Sequence, residues 1–189
     1  MRTFVLLAAT VLCLGTLLGT SKAEATPVVE VTCYGDDCFK NGWLATYPRA
    51  NFWAQAICWK KDCSQYGWQV HDSRGLDTDV TCVGRGCFVD GWIESVAQGR
   101  QSQYYKCKAP IATPNGGAAT PDCWLHGFEA NGPSVFSSAS CVNGSCRTSG
   151  WVTKVGRLPD ATTVCKTGAD QTTGMTISDC FRFGWNVYQ

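Results

Sequence analysis

One spacing recurs six times in this chain and leaves little freedom to the fold. In Cys33-Tyr34-Gly35-Asp36-Asp37-Cys38-Phe39-Lys40-Asn41-Gly42-Trp43, two cysteines bracket four residues, and a glycine and an aromatic stand four and five places past the second cysteine. The same C-x4-C-x3-G-W pattern returns at Cys58/Cys63 with Gly67-Trp68, at Cys82/Cys87 with Gly91-Trp92, and at Cys141/Cys146 with Gly150-Trp151. Two further copies hold a long insert between the cysteines: Cys107/Cys123 with Gly127-Phe128, and Cys165/Cys180 with Gly184-Trp185. From second cysteine to second cysteine the steps are 25, 24, 36, 23 and 34 residues. Without the two inserts the long steps become 25 and 24, so both inserts occupy one place in the unit, the tip between the cysteines.

Each unit reads as a β-hairpin stapled by its own disulfide. Cys141-Val142-Asn143-Gly144-Ser145-Cys146 is the clearest copy, because Asn-Gly is the preferred pair for a two-residue type I′ turn. Such a turn sets Cys141 opposite Cys146 with Cα atoms ~4.5–5.5 Å apart, inside the range a disulfide spans. Six bridges are expected, each within its copy: Cys33–Cys38, Cys58–Cys63, Cys82–Cys87, Cys107–Cys123, Cys141–Cys146 and Cys165–Cys180. In the chain-entropy picture each short bridge contributes roughly 2 kcal/mol and each long one roughly 3. Gly35 and Gly84 stand where a turn needs a glycine, whereas Lys60-Lys61 is a weak turn whose geometry the disulfide must impose. Past the second cysteine a strand is expected, with Phe39 and Trp43, Phe88 and Trp92, and Phe181 and Trp185 sharing one face. The constant glycine marks a bulge or a close backbone approach.

The copies alternate in character. After the aromatic stand Leu44, Ile93 and Val152 in the odd copies, and Gln69, Glu129 and Asn186 in the even ones. An aspartate precedes the second cysteine in every even copy, at Asp62, Asp122 and Asp179, and both inserts fall in even copies. With no sustained helical period anywhere, the chain reads as all-β: six stapled hairpins in three pairs. Val28-Val29-Glu30-Val31-Thr32 is a strand-like run placed to pair with the last strand and remove the sheet edges. Closure with pseudo-threefold symmetry, broadly β-trefoil-like, is the expected architecture, with a propeller-like ring or a β-solenoid as alternatives. The threefold pairing looks like a β-trefoil lectin in outline, although the Gln-x-Trp signature of ricin-type lectins is not repeated here. That resemblance implies architecture alone.

Residues 1–23 read as a signal peptide, with Arg2 as the positive region, Phe4 to Leu18 as the apolar region and small residues around Ala23 for cleavage. Cys13 leaves with it, so thirteen cysteines become an even set in a single domain, 24–189. Export and paired cysteines together place the protein outside the cytoplasm, in an extracellular or periplasmic space. The formal charge is +1 overall, and close to zero once Arg2 and Lys22 are gone, so neither nucleic acid nor an anionic membrane surface is expected as partner. No segment after the signal has the length and apolarity of a membrane span. No metal or cofactor is expected, since hairpin geometry and an oxidising compartment favour disulfides over thiolate zinc sites.

Most repeated aromatics (Trp43, Trp68, Trp92, Phe128, Trp151, Trp185) are expected in the core. The repeat does not account for Tyr34, Trp53 and Trp59, which become candidates for ligand contact, together with Lys60 at the second tip and Asn115 in the first long tip. Any ligand site is expected on the tip side, built from the even-copy tips with Trp59. His71-Asp72-Ser73 contains hydrolase residue types, but neighbours along a strand point apart, and no nucleophile elbow or zinc motif accompanies them. Asn143-Gly144-Ser145 also matches a glycosylation acceptor. The function expected is non-catalytic: a secreted recognition module for a carbohydrate or other cell-surface ligand. The alternative is a structural, self-assembling matrix protein.

Overall fold

The computed structural model describes residues 25–96, 100–110, 119–131 and 136–189. The segment read as a signal peptide, and Asn115, lie outside the described residues. Twelve antiparallel strands close into one barrel: β1 (Val29–Cys33), β2 (Trp43–Tyr47), β3 (Phe52–Cys58), β4 (Trp68–Asp72), β5 (Asp77–Cys82), β6 (Gly91–Val96), β7 (Arg100–Cys107), β8 (Phe128–Asn131), β9 (Phe136–Cys141), β10 (Trp151–Val155), β11 (Ala161–Cys165) and β14 (Trp185–Tyr188). The remaining two, β12 (Thr167–Ala169) and β13 (Thr176–Ser178), form a separate hairpin inside the last tip. Each barrel strand pairs with its neighbours along the chain, and β1 pairs with β14 to close the ring, Val31 lying opposite Trp185. The expected all-β closure through the run at 28–32 is therefore present. The pairing itself is a plain meander and carries no threefold grouping.

All six disulfides join the expected partners, with Cα–Cα distances between 4.3 and 4.6 Å. Their register differs from the simple hairpin expectation. The residue opposite each first cysteine is the repeated aromatic: Cys33 faces Trp43, Cys58 faces Trp68, Cys82 faces Trp92, Cys107 faces Phe128, Cys141 faces Trp151 and Cys165 faces Trp185. The second cysteine instead opens a single helical turn, as in α1 (Cys38–Asn41), α2 (Cys63–Tyr66), α3 (Cys123–His126), α4 (Cys146–Ser149) and α5 (Cys180–Phe183). The cause is local. Asp37, Asp62, Asp122, Ser145 and Asp179 each accept a backbone N–H from the turn that follows, as N-cap residues do. In the third copy this place is taken by Gly86, and residues 87–90 form a looser turn. The aspartates of the even copies thus have a structural duty.

The tip turns follow from their sequences. Asn143 and Gly144 have φ of 48° and 74°, and Ser145 N donates to Val142 O at 3.1 Å, the expected type I′ arrangement. Lys60 and Lys61 stand in the same left-handed region, at 51° and 58°, in a turn that Asp62 N closes on Trp59 O at 3.0 Å within the Cys58–Cys63 bridge.

Each glycine before the aromatic makes the close approach anticipated for it. Gly67, at φ 89°, lies so near β5 that a Cβ would sit 2.0 Å from Val80 O. Gly42, Gly91, Gly127, Gly150 and Gly184 stand equally close to a carbonyl of the next strand around the ring. The units also touch through sulfur: each first cysteine's Sγ lies 3.5–3.9 Å from the carbonyl oxygen of the preceding copy's second cysteine, Cys33 closing the circle on Cys180. A disulfide sulfur carries no proton, so these are S···O contacts, not hydrogen bonds.

Because odd-numbered barrel strands all run the same way and end in a first cysteine, all six tips lie at one end of the barrel. Odd and even tips share that rim. The opposite rim carries the turns after β2, β4 and β10.

Candidate functional site

The barrel axis is filled by aromatics in two layers. The inner layer is the repeated residue of each copy, forming a ring in which Trp43 meets Trp68 at 5.4 Å, Trp68 meets Trp92 at 6.1 Å, Trp92 meets Phe128 at 5.2 Å, Trp151 meets Trp185 at 5.7 Å and Trp185 meets Trp43 at 5.9 Å. Above it, on the tip side, Phe39, Phe88, Trp124 and Phe181 converge from four different copies, with centroid distances of 4.4–5.2 Å. The same position holds Ser64 in the second copy and Arg147 in the fifth. Arg147 lays its guanidinium 4.5 Å over Phe181 and donates to Asp179 at 2.9 Å. The core reading of the ring aromatics agrees with this placement, and Trp92 is 8 % exposed and stacked on Tyr105 at 4.8 Å. Tyr105 donates its hydroxyl to Glu94 at 2.9 Å; burial, and then the Glu94 carboxylate, hold the phenol above its ordinary pKa.

The candidate ligand residues are divided between the two ends of the barrel. Tyr34, Trp59 and Lys60 lie on the tip rim, Tyr34 and Trp59 half-buried and Lys60 exposed. The Lys60 ammonium is turned back onto its own unit, 4.5 Å over the Tyr66 ring. Trp53 sits at the other end of β3, six residues before Trp59, so the structure does not bring these two tryptophans together.

Trp53 is on the outer wall. Ala45 and Ala54 face each other inside the barrel and Thr46 pairs with Trp53 on the outside, leaving the indole 39 % exposed. Around it the outward residues Gln55 of β3, Gln69 and His71 of β4, and Asp77 and Asp79 of β5 are polar, with the exposed Ile57 of β3 opposite Gln69. Gln55 lies opposite His71, and His71 opposite Asp77; Gln69 lies opposite Asp79. The His71 ring is 6.0 Å from the Trp53 ring, and its Nδ1 lies 2.7 Å from Asp77 Oδ1, with both side chains about half exposed. Gln69 donates Nε2–H to Asp79 at 3.2 Å. Toward the rim a shallow depression of about 180 Å³ adjoins the indole, lined by Thr46, Tyr47, Pro48, Asn51, Phe52 and Trp53. Tyr47 and Phe52 pack edge to face at 4.8 Å there, and the Arg74 guanidinium covers Phe52 at 4.6 Å.

The three residues His71, Asp72 and Ser73 do not converge. Asp72 turns inward and accepts the backbone N–H groups of Arg74 and Leu76 and the Arg74 guanidinium. These contacts, the Leu76 amide first, hold its carboxyl below the ordinary range. Ser73 instead accepts the backbone N–H of Trp53 through its hydroxyl at 3.4 Å. The polar row around Trp53 was missed in the sequence, though a signal was there. In Trp53-Ala54-Gln55-Ala56-Ile57 the alanines mark the inward positions, which sends the tryptophan, glutamine and isoleucine out.

Fold and surface together define a disulfide-stapled, twelve-stranded meander barrel with an aromatic axis. Comparison with protein-family models, with curated proteins and with solved structures finds no match to this chain. Among the described residues no helix is long and apolar enough to cross a membrane.

Proposed function

We propose that the protein is a secreted, non-catalytic recognition module that binds carbohydrate on the outer wall around Trp53. The observation that carries this reading is an exposed indole set beside cross-strand rows of polar side chains on a rigid sheet. A pyranose presents apolar C–H faces and equatorial hydroxyls. Trp53 offers a flat π-surface for the former, while Gln55, His71, Asp77, Gln69 and Asp79 offer donors and acceptors for the latter. Neither demand comes from the fold, since the barrel closes its core without the indole. The six bridges support export to an oxidising compartment and hold the wall rigid, so little ordering is required on binding. We read the odd–even alternation of outward residues (Leu44, Ile93 and Val152 against Gln69, Glu129 and Asn186) as a pseudo-threefold pattern of this outer surface.

The test is a glycan array followed by calorimetry on the best hit, with Trp53→Ala and Trp59→Ala beside the parent. Trp53→Ala should lose binding at unchanged thermal stability, and Trp59→Ala should retain it. The opposite result would move the site to the tip rim. Absence of glycan binding, with concentration-dependent association of the protein alone, would favour the matrix reading.

A further inference from the structure

A second site lies on the barrel axis, and it asks for different chemistry. Between the ring and the tip-side cluster is a cavity of about 140 Å³ that no polar atom faces. Its origin is a single irregularity in the repeat. Five copies place a tryptophan in the ring, while the fourth places Phe128. Five neighbouring pairs around the ring are in aromatic contact; Phe128 and Trp151 are the adjacent pair that is not, among the described residues. The smaller ring therefore leaves space, and Cys123 and Cys146 line the gap beside it. From the tip side, Phe39, Phe88 and Trp124 form the ceiling.

Water is a poor occupant. A buried water needs two to four polar partners, and an apolar cavity of about 150 Å³ in another protein stays dry and takes benzene or xenon. We propose that this cavity is a binding site for one small neutral hydrocarbon, a monocyclic aromatic or a ring-sized aliphatic molecule. Anions and hydrogen-bonding solutes are excluded because nothing in the lining offers them a partner. Long acyl chains are excluded by volume. The half-buried Trp43, Trp151 and Trp185 give the site an edge through which a small molecule enters.

The protein carries its own reporter, since six of its eight tryptophans wall the cavity. The other two, Trp53 and Trp59, are on the outside or the tip rim. Iodobenzene, a heavy-atom quencher, is titrated into the oxidised full-length protein while tryptophan emission and thermal unfolding are followed. The expected result is saturable quenching of most of the emission together with a raised unfolding temperature. Aqueous iodide should quench only a minor share. Phe128→Trp, which completes the ring, should weaken iodobenzene binding by about tenfold or more. Trp151→Phe, which widens the same gap, should admit naphthalene, which the parent rejects. Quenching that rises linearly without saturation overturns the proposal, as does equal affinity in parent and Phe128→Trp. If Phe128→Trp fails to fold, Trp151→Phe decides, and failure to gain naphthalene binding then overturns it. None of these outcomes bears on the glycan wall, which faces away from the axis.

Discussion

Gly67→Ala should damage this protein far more than Gly75→Ala, although both glycines have nearly the same backbone angle. Their φ values are 89° and 78°, so an L-residue at either place is strained, and Gly67, with ψ −161°, lies in a region that only glycine occupies. Both substitutions also stiffen the unfolded chain alike, by roughly 0.4–1 kcal/mol in favour of folding. The second effect cancels in the comparison. What remains, beside the dihedral cost at Gly67, is space. A Cβ on Gly75 meets nothing within 4 Å, whereas one on Gly67 would lie 2.0 Å from Val80 O and 2.9 Å from its carbonyl carbon. No side chain can rotate away there, because the obstacle is the backbone of β5, itself paired on both edges. Forcing an atom into a packed interior costs about 1–3 kcal/mol where the surroundings yield, and here they must break ladder bonds to do so. The difference between the variants should therefore be at least about 2 kcal/mol. For a chain of this size that is a gap of roughly 4–8 °C in unfolding temperature. Urea unfolding followed by circular dichroism, with the disulfides intact, measures it directly. Equal destabilisation of the two variants would refute the close-approach explanation. The same contact recurs in all six copies, so Gly150→Ala, whose Cβ would meet Thr163 O at 2.0 Å, should repeat the result.

Two further outcomes follow from the same structure. Trp92→Ala should cost ~3–5 kcal/mol by denaturant unfolding, while the half-buried Trp59→Ala should cost much less; similar losses would mean the ring is not the core. Hydrogen bonds from the Arg85 guanidinium and amide hold the Asp90 carboxyl at about 2, against an unperturbed value of 3.8. Its folded pKa is depressed, so the stability it contributes is complete above about pH 4 and is lost as pH falls toward 2. A carboxylate titration by NMR should find that low midpoint, and Arg85→Met should return it toward the ordinary range.

How far the sequence determined this protein depends on the distance over which each signal acts. The pairing of all twelve cysteines is local: partners five residues apart, or separated by one insert, have no closer choice. The type I′ turn at Asn143-Gly144 and the demand for glycine before each aromatic are local in the same sense. The helical turn after the second cysteine was not legible. Phe39 and Trp43 are four residues apart, and a spacing of four puts two side chains on one face under the helical period and the strand period alike. The capping aspartates break that tie only when their acceptor role is seen. Barrel closure, the Cys-opposite-aromatic register and the meeting of Phe39, Phe88, Trp124 and Phe181 join residues from distant copies. No local preference specifies how many hairpins complete a circle; strand twist and packing across the axis do. For the same reason Trp53 and Trp59, six residues apart in sequence, became a wall residue and a rim residue at opposite ends of one strand. Only the tertiary structure places a cavity beside the single phenylalanine of the ring, because a cavity is a property of all the side chains around it at once.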